Sequence, residues 1–257
     1  MLLLVDAGNT RIKWALVDPH RALPKCSGDG RVDAGWLASG AVLQADVATL
    51  AQVWQHCGAN RVVVANVAGP AVRERLAQLL HDTLGVTPQW FTSSANAAGL
   101  RNGYRNPLQL GCDRFASMIG ARALFPAQAL LVVTCGTATT IDAVSAAGDF
   151  MGGMILPGLG LMATSLARHT AQLPQIGAAF VVPPLFADNT DDAILSGCLS
   201  AQAGAIERAL AAHPGARCIL SGGAAVAVMA TLSVPMTHVD NLVLLGLQAT
   251  HLSAPSC

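Results

Sequence analysis

Residues 2–18, LLLVDAGNTRIKWALVD, read as two strands joined by a tight turn. The apolar run stops at Asp6, and Gly8, Asn9 and Thr10 supply turn chemistry. Beyond the turn Ile12, Trp14 and Leu16 alternate with Lys13, Ala15 and Val17, the period-2 pattern of a strand. Residues 129–145, ALLVVTCGTATTIDAVS, repeat this shape, and Gly136 lies 128 positions after Gly8, close to half of the 257 residues. A second pair of landmarks follows the first: RVVVANVAG from Arg61 and RCILSGGAA from Arg217, each a short apolar strand running into a small-residue turn. Two matched landmarks per half predict an internal duplication. Helices are expected over 45–57, 71–84, 113–124, 191–212 and 224–232. Strands and helices alternate, so the class is α/β. Two lobes with a cleft between them are expected, 1–118 and 119–257, with Pro126 closing the helix at the boundary.

Composition removes several function classes. Hydrophobic residues make up 53% of the chain and charged residues 12%, which excludes a disordered chain and predicts a sizeable core. Fifteen basic residues balance fifteen acidic ones without forming a run or stripe, so neither nucleic acid nor an anionic membrane is an expected partner. The mean hydropathy of +0.48 is high and permits apolar surface to be buried between subunits. Met1 to Val5 is apolar but ends at Asp6 and has no basic segment before it, so no signal peptide is expected. The seven cysteines (Cys26, Cys57, Cys112, Cys135, Cys198, Cys218 and Cys257) form no C-x-x-C pair. They read as free thiols of a cytoplasmic protein. The seven histidines are dispersed without ligand spacing.

Three turns carry chemistry. In the first, a carboxylate ends a buried strand, which is costly without compensation. Asp6 facing Mg²⁺, with Gly8, Asn9, Thr10 and Lys13 around phosphate oxygens, would supply it. An Asx-type hairpin turn is the plain alternative. The second turn, Cys135-Gly136-Thr137-Ala138-Thr139-Thr140, is rich in hydroxyls and uncharged. It can hold phosphate through Thr137, or its threonines can reflect strand preference alone. The third, Ser221-Gly222-Gly223-Ala224, follows a strand and opens a helix, where an adenosine can pack. No G-x-x-x-x-G-K-[ST] phosphate loop occurs.

Together these turns resemble the two phosphate motifs and the adenosine motif of the actin-like kinase superfamily, which implies two duplicated ribonuclease-H-like lobes with ATP between them. Residues 104–114, YRNPLQLGCDR, narrow the likeness to type III pantothenate kinases, whose signature is Y-x-x-P-x-x-L-G-x-D-R. Residues 152–158, GGMILPG, and 189–197, NTDDAILSG, resemble two further motifs of that family, in its order. The resemblance implies transfer of the ATP γ-phosphate to pantothenate, giving 4′-phosphopantothenate, with Mg²⁺ present and a homodimer as the assembly. It implies Asp113 as the base and Tyr104, Gly111, Cys112, Arg114 and Thr190 as substrate contacts.

Elementary chemistry offers alternatives at each position. Asp113 opens a helical stretch, where Asp is a favoured N-cap, and a helix N-terminus would keep it ionised at neutral pH. Thr190 has the same N-cap reading. Arg114 can hold an anion with its planar fork or lie solvated in a first helical turn. Lys13 can be solvated on a strand face, and Tyr104 can simply pack beside Pro107.

Members of the family mostly carry Asp-x-Gly-Thr in the second turn, where the Asp helps bind potassium or ammonium. Here Thr134 takes that place, a weaker ligand, so no residue is assigned to a monovalent cation. Asp142 is retained further along. Cys112 and Cys135 sit inside site motifs, where buried, inert thiols are expected. Two other functions remain compatible with the sequence: another small-molecule kinase or phosphatase on this fold, and a regulator that binds nucleotide without turnover.

Overall fold

A computed structural model describes residues 1–23, 32, 34–176 and 181–253. Cys26 and Cys257 lie outside the described residues. In chain order the elements begin with β1 (Leu2–Ala7), β2 (Arg11–Val17), β3 (Ala38–Leu43), α1 (Leu50–Trp54), β4 (Arg61–Asn66), α2 (Pro70–Leu84) and β5 (Gln89–Phe91). A short hairpin, β6 (Asn96–Ala97) and β7 (Leu100–Asn102), leads to α3 (Cys112–Leu124). Then come β8 (Leu130–Cys135), β9 (Ala138–Val144), β10 (Asp149–Pro157), α4 (Leu159–His169), α5 (Thr190–Ala211), β11 (Arg217–Ser221), α6 (Ala225–Met229), β12 (Met236–His238) and α7 (Leu242–Ser253).

Two compact units interleave along the chain. Unit 1 comprises 1–127, 147–151 and 241–257, and unit 2 comprises 128–146 and 152–240. Their sheets have the same plan. In unit 1 the order is β3-β2-β1-β4-β5, with β1 antiparallel to β2 and parallel to β4. In unit 2 the order β10-β9-β8-β11-β12 repeats it, with β8 antiparallel to β9 and parallel to β11. The expected duplication is therefore present in these five strands of each half, while β7 and β6, which follow β10 in the second sheet, have no counterpart in the first. The two turns close with different spans: Gly8 N–H donates to Arg11 O, three positions on, and Gly136 N–H to Ala138 O, two positions on, both at 3.0 Å.

The alternation read from residues 2–18 sorts the unit 1 sheet into two buried faces. Leu3, Val5, Ile12 and Trp14 pack with Leu50, Trp54, Leu76 and Leu80 of α1 and α2. Trp14 and Trp54 meet edge to face at 6.4 Å. Leu2, Leu4, Ala15 and Val17 pack on the other face with Ala116 of α3 and Val243, Leu244 and Leu247 of α7. In unit 2, Leu131, Val133, Cys135 and Ile141 pack with Leu159 and Ala163 of α4, Ile194, Leu195 and Leu199 of α5 and Val228 of α6.

Helices α3 and α7 approach closely because each places a glycine at the crossing. A Cβ on Gly120 would meet the Leu242 carbonyl, and one on Gly246 would run into the Ala116 carbonyl. Only backbone that must itself move lies in the way. Gly246→Ala is therefore expected to destabilise unit 1 by about 3 kcal/mol, the upper range of core overpacking. Thermal unfolding checks this through a fall in Tm of roughly 10 °C.

Candidate active site

The first hairpin presents Asp6 as the penultimate residue of β1, opposite Lys13 on β2. A Cβ on Gly8 would lie 3.2 Å from the Arg11 carbonyl, so glycine suits this tight turn. Asn9 and Thr10 are exposed at its tip, and Lys13 is half-buried rather than fully solvated. The parallel strand β4 ends beside β1, with Asn66 opposite Ala7. Asn66 shapes the following turn: its Nδ2 donates to Gly69 O at 3.0 Å and its Oδ1 accepts from Ala68 N–H at 3.0 Å.

The N-terminus of α3 comes to the same end of the sheet, where Cys112 Sγ donates to Asn66 O at 3.6 Å. Gly111, not Asp113, is the N-cap residue of α3, and Cys112 is the first helical residue. The N-cap reading of Asp113 is thereby corrected. Its Oδ1 accepts from the Arg114 N–H at 2.8 Å, in the first turn. A Cβ at position 111 would sit 2.6 Å from that oxygen, so Gly111 leaves room for the carboxylate.

Electrostatics at this cluster are set by burial. Burial pushes Asp113 up from its ordinary range, and this outweighs the Arg114 N–H, its largest opposing influence. Burial also pushes Asp6 from its ordinary 3.8 to about 7, against the Lys13 charge and with help from the Asp113 charge. Two carboxyls from separate elements thus share one poorly hydrated place in unit 1. Burial pushes the Cys112 thiol up to about 11 and that of Cys135 to about 12, so both are neutral at pH 7, as expected of inert thiols.

Arg114 is 6% exposed, which excludes the solvated reading. Its Nη1 donates to the Tyr104 hydroxyl at 3.0 Å, and its guanidinium carbon lies 5.7 Å from the Tyr104 ring centre and 5.9 Å from that of Phe150. Tyr104 and Phe150 are themselves 5.2 Å apart. Phe150 was not legible as a site residue, since nothing local marks residues 147–151 as part of unit 1.

In unit 2 the second turn leaves Thr137 exposed and is cradled by two glycines. Gly158 donates to Thr137 O at 2.9 Å, and a Cβ there would run into the Gly136 and Thr137 carbonyls. Gly222, at φ +101°, packs its backbone on Cys135, and Ala224 N–H donates to Cys135 O at 3.1 Å. The second and third turns of the sequence reading are therefore one structure. Thr134 is flanked across the sheet by Thr140 and Ser221, which makes a row of neutral hydroxyls. Asp142 is buried in mid-strand on β9. Thr190 is the first residue of α5, and the N-cap is Asn189, whose Oδ1 accepts from Asp192 N–H at 3.0 Å. This corrects the N-cap reading of Thr190. The exposed Thr190 borders a groove of about 440 Å³ with Met162, Leu166, Leu173, Ala193 and Gly197.

Among the described residues no group of three or more His, Cys, Asp or Glu side chains is placed to hold a metal. Nor is any described helix long and apolar enough to cross a membrane.

The sequence profile of the type III pantothenate kinases matches residues 2–212. A type III pantothenate kinase from Janthinobacterium sp. (strain Marseille) is 54% identical over 267 residues, covering 100% of both chains. Among solved structures, the ethanolamine utilization protein EutJ from Carboxydothermus hydrogenoformans shares the fold with a TM-score of 0.54 at 13% identity, over 98% of this chain and 89% of that one. The activator of the 2-hydroxyisocaproyl-CoA dehydratase from Clostridium difficile, with bound ADPNP, aligns with a TM-score of 0.52 at 12% identity, over 98% and 92%. These likenesses bear out the two-lobed, ribonuclease-H-like architecture.

Proposed function

Since the chain belongs to the type III pantothenate kinase family, we propose that the carboxylate cluster of unit 1 is the centre at which it works. The activity is ATP-dependent phosphorylation of pantothenate to 4′-phosphopantothenate, the first step of coenzyme A biosynthesis. The observation that carries the assignment is the convergence of Asp6 and Lys13, from the first hairpin, with Asp113 at the start of α3.

Asp113 accepts the proton of the pantothenate hydroxyl and orients that oxygen for in-line attack. Its burial raises its basicity above that of a free carboxylate, which suits the role. A loose phosphoryl-transfer transition state asks little of the base, so orientation is the larger contribution. Asp6, Gly8, Asn9, Thr10 and Lys13 hold ATP phosphates in unit 1, and Thr137 does so in unit 2. Tyr104, Gly111, Cys112, Arg114 and Thr190 contact pantothenate.

The residues present fit Mg²⁺. Asp6 is short of positive charge, since Lys13 does not bring it back to the ordinary carboxylate range. A site with one or two carboxylates completed by substrate phosphates is the usual arrangement for this ion. Bound there, Mg²⁺ supplies charge neutralisation for the transferred phosphoryl group. The hydroxyl row at Thr134 offers neutral oxygens in place of a carboxylate, which supports weaker binding of a monovalent cation than a carboxylate would give. The five described cysteines are free, which supports a reducing, cytoplasmic setting. Exposed apolar residues of unit 2, among them Ile155, Leu185 and Phe186, support a homodimer.

Purified protein is expected to form 4′-phosphopantothenate from ATP, Mg²⁺ and pantothenate, read by mass spectrometry, at the same rate in sodium as in potassium or ammonium. Folded protein that forms no product in any of these salts would overturn the assignment. Product formed only with potassium or ammonium would overturn the cation reading alone.

A further inference from the structure

The loop leading into α3 is organised around one side chain. Asn102 is 7% exposed, and its amide spans the loop. Its Nδ2 donates to the carbonyls of Ser94 and Pro107, both at 3.1 Å, while its Oδ1 accepts from the Tyr104 N–H at 3.1 Å. Both donors and one acceptor position are used, a set that only an amide provides. A carboxylate here would still accept from Tyr104 but would set its charge against two carbonyls. Alanine would remove a partner from three part-buried backbone groups, leaving the Pro107 carbonyl with the 3.4 Å bond from the Leu110 N–H.

The opposite side of Tyr104 is held independently. Its ring lies 5.2 Å from that of Phe150, tilted by 37°, and its hydroxyl accepts from Arg114. Between the two anchors stands Gly103, where a Cβ would run into the Phe150 carbonyl. Backbone and ring of the one tyrosine are thus fixed from two directions, and Asn102 controls the first.

We infer that Asn102 is a positioning residue for pantothenate recognition: by bridging Ser94, Tyr104 and Pro107 it holds Tyr104 in its binding orientation before substrate arrives. This rests on the reading of Tyr104 as a substrate contact. Preorganisation of this kind acts on the affinity for one substrate and leaves the other untouched.

Because the chain contains a single tyrosine, 3-fluorotyrosine labelling gives one fluorine resonance that reports Tyr104 alone. In labelled wild type, saturating pantothenate is expected to shift it. In Asn102→Asp and Asn102→Ala the free-state resonance moves toward that of a solvated phenol. KM for pantothenate rises about tenfold, with KM for ATP unchanged. Should the alanine variant fail to fold by circular dichroism, the aspartate variant carries the test. Folded variants whose resonance stays put, or whose pantothenate KM stays at the wild-type value, overturn the inference. An equal rise in both KM values does the same, because it marks general loosening. A wild-type resonance indifferent to pantothenate removes Tyr104 from the substrate site, and the inference with it, whatever the variants do.

Discussion

Asp113→Asn is expected to lower kcat for pantothenate phosphorylation by about 10²–10³, within the range for loss of a positioned general base. The change is nearly isosteric. The amide oxygen can still accept the Arg114 N–H that Asp113 accepts now, so α3 should start as before. Nucleotide affinity should hold within about threefold, since the lost interaction is made in the transition state and not in the ground state. Burial raises Asp113, so the base becomes protonated, and activity falls, at a higher pH than an ordinary carboxylate would give. The acid limb of the wild-type kcat profile should therefore lie above the usual carboxylate range, and the residual activity of Asp113→Asn should keep only the limb that Asp6 gives. Stopped assays across pH 4–9 give both readings. A fall in kcat of less than tenfold would leave Asp113 only an orienting role.

Asp6→Asn should abolish phosphorylation and yet stabilise the protein freed of nucleotide and divalent cation. In the unfolded chain this carboxyl titrates at its ordinary 3.8, and in the fold at about 7. Between those values the folded protein keeps a proton that the unfolded chain has released. The contribution of Asp6 to stability is thus best below the lower value and declines as pH rises. By pH 8 the full cost of a buried charge is present. The asparagine variant escapes that cost. A gain of about 2 kcal/mol at pH 8 is expected, below what the whole shift would give because the carboxylate keeps part of its hydration. In a chain of this size that is a rise in Tm of roughly 5 °C at pH 8, shrinking toward zero near pH 4. Calorimetry with EDTA present measures it. A variant less stable than wild type at pH 8 would show that Asp6 is satisfied without a cation.

The duplication was readable because each hairpin is a self-contained local pattern, an apolar run broken by Gly8 or Gly136. The sequence signature around Asp113 was equally local. What escaped reading depends on partners distant in the chain. Helix α7 has eight consecutive buried residues, Leu242–Ala249, so no polar face gives it a helical period. Phe150 reaches Tyr104 through a segment that returns to unit 1 for five residues only. The helix N-terminus at Asp113 is visible in sequence, whereas the burial that raises this carboxyl is not. Both cap assignments missed for a simpler reason: helix starts shift by one or two residues, and Gly111, two before Asp113, and Asn189, one before Thr190, took the positions.

The interleaving of the two units sets the order in which a growing chain can mature. The first strand leaves the ribosome early, but α7, which lies against it and against α3, is encoded after the whole of unit 2. Unit 2 has all its strands outside before unit 1 has its last helix, so the half that begins first is completed last. A nascent chain halted before Asn241 would hold Asp6, Asp113 and every other residue assigned to the reaction, and would lack the helix that packs behind them. Catalytic competence is in this way tied to the emergence of α7.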